Sequence, residues 1–423
     1  MVKGAAAETR PYVWERDSGD RWTFRPNPLW TAPAGAGPRD AAGSKAWSLS
    51  LYYSWTGDAG SGGGSGAIVP GELIWRSGPA AAALDFYPKA LEHRPLVFNS
   101  ERWGEPPEEI TIQTGPGFEP REVKLEYRRE DPLVPLSADL GTMMYYPPSA
   151  WRNEDYEIFS FTLYPRIFYL ITGSFEIQSR FLKRLAFFTE KPGFAGKLAR
   201  DEEIETLRDW FAHDYRAGDI ARFYELARER NFPLNPSEVL LRTMLLGHGI
   251  IRSEGGRYTE GEGALVGLSV ESRNRLPVYY IHETIHGLEF TMPELGRLFL
   301  EFFHGLSGME KVFIRDALAY RGYNVLEDER LLASEMASYL LQQRAEETDR
   351  YYREYIVPWY AAYHGGAAAG GDDEAYSDGV TVFLAENPGI FGRRGASLGD
   401  RFFDLTGLRA ETFYDLLPKN REL

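Results

Sequence analysis

The chain has no cysteine among its 423 residues. Disulfide bonds, thiol nucleophiles and cysteine-ligated zinc sites are therefore excluded. Long hydrophobic runs are also lacking, because no stretch approaches the 18 uninterrupted apolar residues that a membrane-spanning helix needs. The first eight residues contain no apolar segment of the kind found in a signal peptide. We therefore expect a soluble chain without an export signal of its own, cytoplasmic unless a signal was removed ahead of Met1.

Positive charge is in short supply. The chain carries 47 Lys and Arg against 62 Asp and Glu, which gives a formal net charge of -15. This balance argues against binding to nucleic acid or to anionic membrane surfaces by bulk electrostatics. Partners are expected to be neutral or basic, or to be recognised by shape, and the oligomeric state is left open.

The N-terminal part of the chain has the pattern of a β domain. Hydrophobic residues make up 43% and aromatic residues 14% of the chain, enough for packed cores, and its length predicts two or three domains. Alternating runs separated by Gly and Pro turns predict strands at Trp47–Trp55, 67–75, Glu109–Gln113, 123–127 and 157–163. We expect residues 1–172 to form an antiparallel, sandwich-like β domain.

From Phe175 onward the hydrophobic period becomes helical. The pattern predicts a helical connecting region over 173–250, with 201–231 as helix, and a mostly helical catalytic domain over 251–363. Residues 364–423 are predicted to form a glycine-rich mobile loop followed by a C-terminal helical unit with a helix over 401–415. The predicted fold class is therefore α+β.

The segment His282-Glu283-Thr284-Ile285-His286 is the most informative part of the sequence. On a helix, this spacing places both imidazoles on one face, where their nitrogens can bind a single zinc ion, and puts Glu283 beside it as a general base. Such a pentad is expected by chance in roughly one chain in a hundred of this composition. Apolar neighbours at helical spacing indicate burial. The alternative is a pair of core histidines bonded to backbone carbonyls.

A third ligand is predicted further along the chain. The metzincin pattern is excluded, because Glu289 and Met292 stand where it requires glycine and histidine. Glu335 lies on the apolar stripe of a predicted helix, with Leu332 a turn before it and Tyr339 a turn after it. Burial of a carboxylate there is costly unless it is paired or bound to metal.

Several further side chains are candidates for the third ligand. His304 is the histidine candidate, and the acidic candidates are Glu289, Glu294, Asp316, Glu327 and Asp328. Asp328 shares a helix face with Glu335, so it can be a hydrogen-bond partner of a ligand imidazole or the N-cap of that helix.

These two motifs together resemble the gluzincin metallopeptidases, the thermolysin-like zincin group, over about residues 260–345. The resemblance implies a zincin-like fold in which His282, His286 and Glu335 bind one Zn²⁺ per chain and Glu283 is the catalytic base. Asp328 and Tyr339 would support the ligands. The sequence departs from the group at Ser334 and Tyr339, where the thermolysin-like helix carries Asn and Asp.

The predicted function is hydrolysis of peptide bonds in a peptide or protein substrate by a zinc-activated water. Residues 263–271 are predicted to form a strand, which either pairs with an extended substrate or is an ordinary sheet strand. The candidates for the hydrogen-bond donor that stabilises the oxyanion are Tyr323, Tyr339, Tyr363 and His364. Two further functions are left open, a metal-dependent amidase that acts on cell-wall peptide and a zincin-derived binding protein without catalysis.

Overall fold

The computed structural model describes residues 12–17, 21–26, 47–55, 71–77, 80–86, 96–99, 107–114, 118–127, 132–146, 148–191, 193–207, 211–272, 276–365 and 373–409. The chain divides into two compact units, one comprising Met1–Pro165 with Thr406–Leu423 and the other Arg166–Leu405. The first break lies near the predicted boundary at 172. The predicted ranges 173–250 and 251–363 lie within the second unit. The glycine-rich loop was predicted to begin at Gly365, which instead ends a helix, and its residues 366–371 lie outside the described residues.

The first unit is built mainly from antiparallel strands. Its elements are β1 (Tyr12–Arg16), β2 (Arg21–Pro26), β3 (Trp47–Trp55), β4 (Gly71–Ser77), β5 (Ala80–Phe86), β6 (Leu96–Asn99), β7 (Glu109–Gln113), β8 (Phe118–Tyr127), β9 (Leu136–Ala138), the helix α1 (Leu140–Tyr145) and β10 (Tyr156–Phe161). The strands form one sheet in the order β1-β2-β7-β4-β5 and another in the order β6-β3-β8, while β9 pairs in parallel with β10. Each of the five predicted strand segments coincides with or overlaps one of these strands. The predicted α+β class with an N-terminal antiparallel β region is therefore confirmed.

The second unit contains β11 (Tyr164–Thr172), whose first two residues belong to the first unit, and four further strands. These are β12 (Ala212–Arg216), β13 (Ile251–Glu254), β14 (Arg257–Glu260) and β15 (Ala264–Ser269). All six residues of β15 are buried, as expected for a strand covered on both faces. It pairs in parallel with β11 and antiparallel with β12, while β13 and β14 form a hairpin.

This topology corrects two predictions. The range 201–231, predicted as helix, contains β12, in which His213 and Tyr215 are buried and their neighbours are not, the alternation of a strand. Pairing with β15 overrides the helical pattern of the local sequence. The proposed substrate-pairing role of residues 263–271 is also wrong, because β15 has a strand on either side. Among the described strands β15 is the one partner of β12, so β12 is the edge strand.

Helices make up the rest of the second unit. They are α2 (Phe175–Thr189), α3 (Asp201–Ile204), α4 (Ala217–Glu229), α5 (Pro236–Gly247), α6 (Leu276–Thr291), α7 (Pro293–His304), α8 (Gly308–Tyr320), α9 (Glu329–Leu341), α10 (Ala345–Tyr351), α11 (Val357–Gly365), α12 (Asp373–Glu386) and α13 (Ile390–Thr406). A π-helical turn, Tyr352–Ile356, joins α10 to α11. Among the helices of the described ranges, none has both the length and the apolar character to cross a membrane.

The C-terminal helix differs from its predicted position over 401–415. Helix α13 begins at Ile390 and ends at Thr406, and residues 410–423 lie outside the described part of the chain. Gly407 follows with φ of 68°, a left-handed conformation that glycine adopts without steric cost and that commonly ends a helix. The glycine therefore explains why the helix stops there.

Helix α6 carries the HExxH pentad and is closely packed against the sheet. Residues 280–288 are all buried. Tyr169 of β11 and Thr284 of α6 share a hydrogen bond between their hydroxyl oxygens at 2.7 Å. A Cβ at Gly287 would lie 3.0 Å from Ile167 Cγ2, so glycine permits the close approach of helix and strand at this point.

Replacing Gly287 with valine should force the helix away from β11 and lower the free energy of unfolding by about 1–3 kcal/mol, the usual cost of overpacking. Gly247, the exposed last residue of α5, is a matched control, because a Cβ there meets no atom within 4 Å. Urea denaturation of both variants measures the effect. Equal stability of the two variants would contradict the close packing at residue 287.

Candidate metal centre

Two imidazoles form one side of the site. His282 and His286 lie one helical turn apart on α6, and both are buried. Their Nε2 atoms are 3.2 Å apart, and their ring centroids are 4.9 Å apart. The predicted convergence of the two rings is therefore present, and the two Nε2 atoms face the same point.

The carboxylate of Glu335 forms the other side. It lies on α9, where the whole stretch from Leu332 to Leu341 is buried, and it is only 5% exposed. Its Oε2 lies 3.4 Å from His282 Nε2, and its Oε1 lies 3.5 Å from His286 Nε2. Oε2 is buried and has no hydrogen-bond partner. An unpaired buried carboxylate oxygen is costly, and a cation bound among the three side chains would satisfy it.

The donor set fits a zinc ion. Atoms bound to one tetrahedral zinc at about 2.0–2.2 Å lie roughly 3.3–3.6 Å from one another. The two Nε2 atoms are 3.2 Å apart, and each lies 3.4–3.5 Å from one of the two oxygens of Glu335. Two imidazole nitrogens and one carboxylate oxygen are ligands that zinc accepts in proteins, and three protein ligands leave a fourth position open. Within the described residues, His282, His286 and Glu335 are the one group of three such side chains that could hold a metal ion.

Helix α9 and its C-terminal cap also provide hydrogen-bond partners for the Nδ1 atoms of both imidazoles. His282 Nδ1 lies 2.8 Å from the Oε1 of Gln342, the residue that caps the C-terminus of α9. His286 Nδ1 lies 3.0 Å from Ser334 Oγ. Both contacts involve the ring nitrogen that faces away from Glu335. They leave the two Nε2 atoms free to act as ligands.

The two imidazoles differ in how readily they accept a proton. Burial lowers the pKa of His286 to about 3, so this ring is neutral at pH 7 and its Nε2 lone pair is available. Burial also lowers the pKa of His282, but the nearby carboxylate of Glu335 raises it, and the net shift is upward.

Glu283 lies beside the ligands without belonging to them. It is buried, and its carboxyl faces that of Asp214 on the edge strand β12. Burial, followed by the negative charge of Asp214, raises the pKa of Glu283 well above its usual value. A carboxylate with a raised pKa and no ligand role is a suitable proton acceptor near neutral pH.

Two tyrosine hydroxyls also lie close to the site. The Tyr339 ring stands 4.8 Å from the His282 ring, and the Tyr339 hydroxyl lies 3.2 Å from that of Tyr323. Burial, followed by the charge of Glu335, raises the pKa of both phenols. Both hydroxyls therefore remain protonated at neutral pH and can donate hydrogen bonds.

The remaining predicted residues lie elsewhere. Asp328 is exposed and accepts hydrogen bonds from the backbone N–H groups of Arg330 and Leu331 at 3.0 Å, so it caps α9 and does not support an imidazole. His304 is half exposed and pairs with Glu329 at 3.2 Å. The other four acidic candidates do not join the triad. Asp316 bonds to His364 and Arg315, and Glu294 pairs with Arg297. Glu289 accepts a hydrogen bond from Ser334, and Glu327 is exposed.

The sequence reasoning missed several residues that shape the site. Gln342 follows Glu335 by seven residues on the same helix face, so spacing could have pointed to it. Ser334 directly precedes Glu335, and neighbours on a helix do not share a face, so spacing gave no signal for it. Asp214 had no such signal. It reaches Glu283 only because β12 pairs with β15 in a register that opposes Asp214 to Val266.

We predict one zinc ion per chain, lost on replacing His286 or Glu335 with alanine. Removing a partner of a ligand typically lowers metal affinity about 10- to 100-fold, and removing a ligand should cost more. His304→Ala is the matched control and should bind zinc as the wild type does. Elemental analysis after dialysis against a weak chelator measures this. Loss of zinc in the control, or its retention in both ligand variants, would contradict the assignment.

The chain was compared with protein-family models, with curated proteins and with solved structures, and none of the three comparisons found a match. The buried His–His–Glu cluster and the side chains around it therefore carry the functional assignment alone.

Proposed function

We propose that this chain is a zinc-dependent metallopeptidase. The observation that carries the proposal is the buried group of His282, His286 and Glu335, which has the donor atoms and separations of a three-ligand zinc site. Glu283 stands next to this group on α6 and is not one of its ligands. A structural zinc site is normally closed by four protein ligands and has no need of an adjacent base.

Glu283 is the general base in this proposal. When bound, zinc supplies Lewis acidity and lowers the pKa of a coordinated water to about 7. Glu283 accepts a proton as the water oxygen attacks the peptide carbonyl carbon, and it then delivers that proton to the leaving amine as the C–N bond breaks. Its raised pKa supports this exchange, because a general base works best when its pKa lies near the working pH.

The Tyr323–Tyr339 pair is the proposed source of the hydrogen bond that stabilises the oxyanion. Both hydroxyls lie near Glu335. Burial, followed by the charge of this carboxylate, raises the pKa of both phenols, so both are protonated donors. The other two sequence candidates are less suitable. His364 is bonded to the buried carboxylate of Asp316 at 3.0 Å, and Tyr363 contacts His364 instead of the triad.

The edge strand β12 is the proposed docking edge for an extended peptide. Strand addition satisfies the backbone hydrogen bonds of a peptide whatever its sequence, and alternate side chains then provide specificity. Asp214 and Arg216 of β12 contact Glu283 and Glu289 of α6, so a peptide on this edge would lie beside the catalytic helix. Arg216 is exposed and offers the bound peptide a positive charge.

Replacing Glu283 with glutamine should leave zinc bound at one ion per chain and lower the turnover number about 10²- to 10⁴-fold, the usual contribution of a general base. Cleavage of a mixed peptide library, followed by mass spectrometry, provides the assay. Glu294→Gln, at a half-exposed position on the next helix, is the matched control. Loss of zinc from Glu283→Gln would make Glu283 a ligand, and a zinc-loaded wild type that cleaves no peptide would contradict the peptidase assignment.

Replacing Tyr323 or Tyr339 with phenylalanine tests the oxyanion donor. The variant that removes the donor should lower kcat by roughly 10²- to 10³-fold with little change in KM, since the hydrogen bond acts mainly in the transition state. Tyr363→Phe serves as the control. If both variants keep the wild-type kcat, the donor lies elsewhere.

A further inference from the structure

The two ligand histidines are held by different kinds of acceptor. His282 Nδ1 bonds to Gln342, whose amide oxygen can only accept a hydrogen bond. His286 Nδ1 bonds to Ser334, whose hydroxyl can either accept or donate. A neutral imidazole carries one N–H and one lone pair. His286 can therefore bind a metal through Nε2 only if Nδ1 carries the hydrogen.

Glu289 determines the direction of the hydrogen bond between Ser334 and His286. The Ser334 hydroxyl donates its hydrogen to Glu289 Oε2, and an ionised carboxylate can only accept. With its hydrogen engaged there, Ser334 Oγ offers His286 Nδ1 a lone pair. Without an acceptor at residue 289, the serine could turn its hydrogen toward Nδ1. The ring hydrogen would then sit on Nε2, the atom that should bind the metal.

The other oxygen of the Glu289 carboxylate is held by Arg216. Its side chain is only 8% exposed, and its Oε1 lies 3.4 Å from Nη2 of Arg216. The guanidinium of Arg216 also lies over the Phe290 ring, 4.6 Å from its centroid. Arg216 has donors and no acceptor, so the oxygen that faces it must be an acceptor.

We propose that Glu289 is a positioning residue of the metal centre, which acts through Ser334 to hold His286 in the tautomer that presents Nε2 to the metal. This inference rests on the proposed metal site but concerns a residue outside the His–His–Glu group. Hydrogen bonds that fix the tautomer of a ligand imidazole contribute to metal affinity. The effect of Glu289 should therefore depend on the serine.

Glu289→Gln is the informative variant. Arg216 would attract the amide oxygen, which turns the amide nitrogen toward Ser334. Ser334 would then accept from this nitrogen and donate to His286 Nδ1, so the direction of the whole chain of hydrogen bonds would reverse. The dissociation constant for zinc should rise about 10- to 100-fold.

A double-mutant cycle on the full chain, read by competition with a chromophoric chelator, separates this relay from a general loss of structure. In the Ser334→Ala background, Glu289→Gln should change the zinc dissociation constant less than about threefold, because the serine hydroxyl that links Glu289 to His286 is already absent. In the Gln342→Ala background, it should retain its full effect. A full effect in the Ser334→Ala background, or none in the wild type, would overturn the proposal.

The tautomer can be read directly by NMR of metal-free protein with ¹⁵N-labelled histidine. The chain has seven histidines, and His286→Gln identifies the relevant signal. We expect the Nδ1–H tautomer at His286 in the wild type and the Nε2–H tautomer in Glu289→Gln. An unchanged tautomer would overturn the relay. This measurement needs neither zinc nor activity, so a wild type that fails to bind zinc would refute the proposed function without deciding the relay.

Discussion

The complete burial of the middle of α6 is the constraint on which the rest of the site depends. It places His282, Glu283 and His286 in the interior, and α9 adds Glu335 opposite them. Polar atoms in such a place are costly unless each has a partner. The Nδ1 atoms have partners on α9, but Glu335 Oε2 has none. A cation bound between the two helices would give this oxygen a partner.

The charges around the triad support the same conclusion. Asp214, Glu283, Glu289 and Glu335 bring four carboxyl groups together, whereas Arg216 is the cation that pairs with Glu289. Burial raises the pKa of Asp214, Glu283 and Glu289, which shows how poorly the interior accommodates their negative charge. A divalent ion would offset much of this repulsion.

The centre of the site was predictable from sequence because its parts are local. The spacing of the two histidines fixes their common face on a helix, and Glu335 is conspicuous as an acidic residue on an apolar stripe. The edge strand was not predictable, because β12 is short and becomes a strand only by pairing with β15, which lies about fifty residues later. The role of Glu289 likewise depends on the packing of α6 against α9. The sequence carries no pattern for such contacts between distant elements.

The most direct test of this account is X-ray absorption spectroscopy at the zinc edge on the full chain after reconstitution with one equivalent of zinc. We predict a first shell of nitrogen and oxygen atoms at about 2.0–2.1 Å, with the outer-shell scattering of two imidazoles. A chain that retains no zinc would contradict the account. A bound zinc with fewer than two imidazole ligands would contradict it equally.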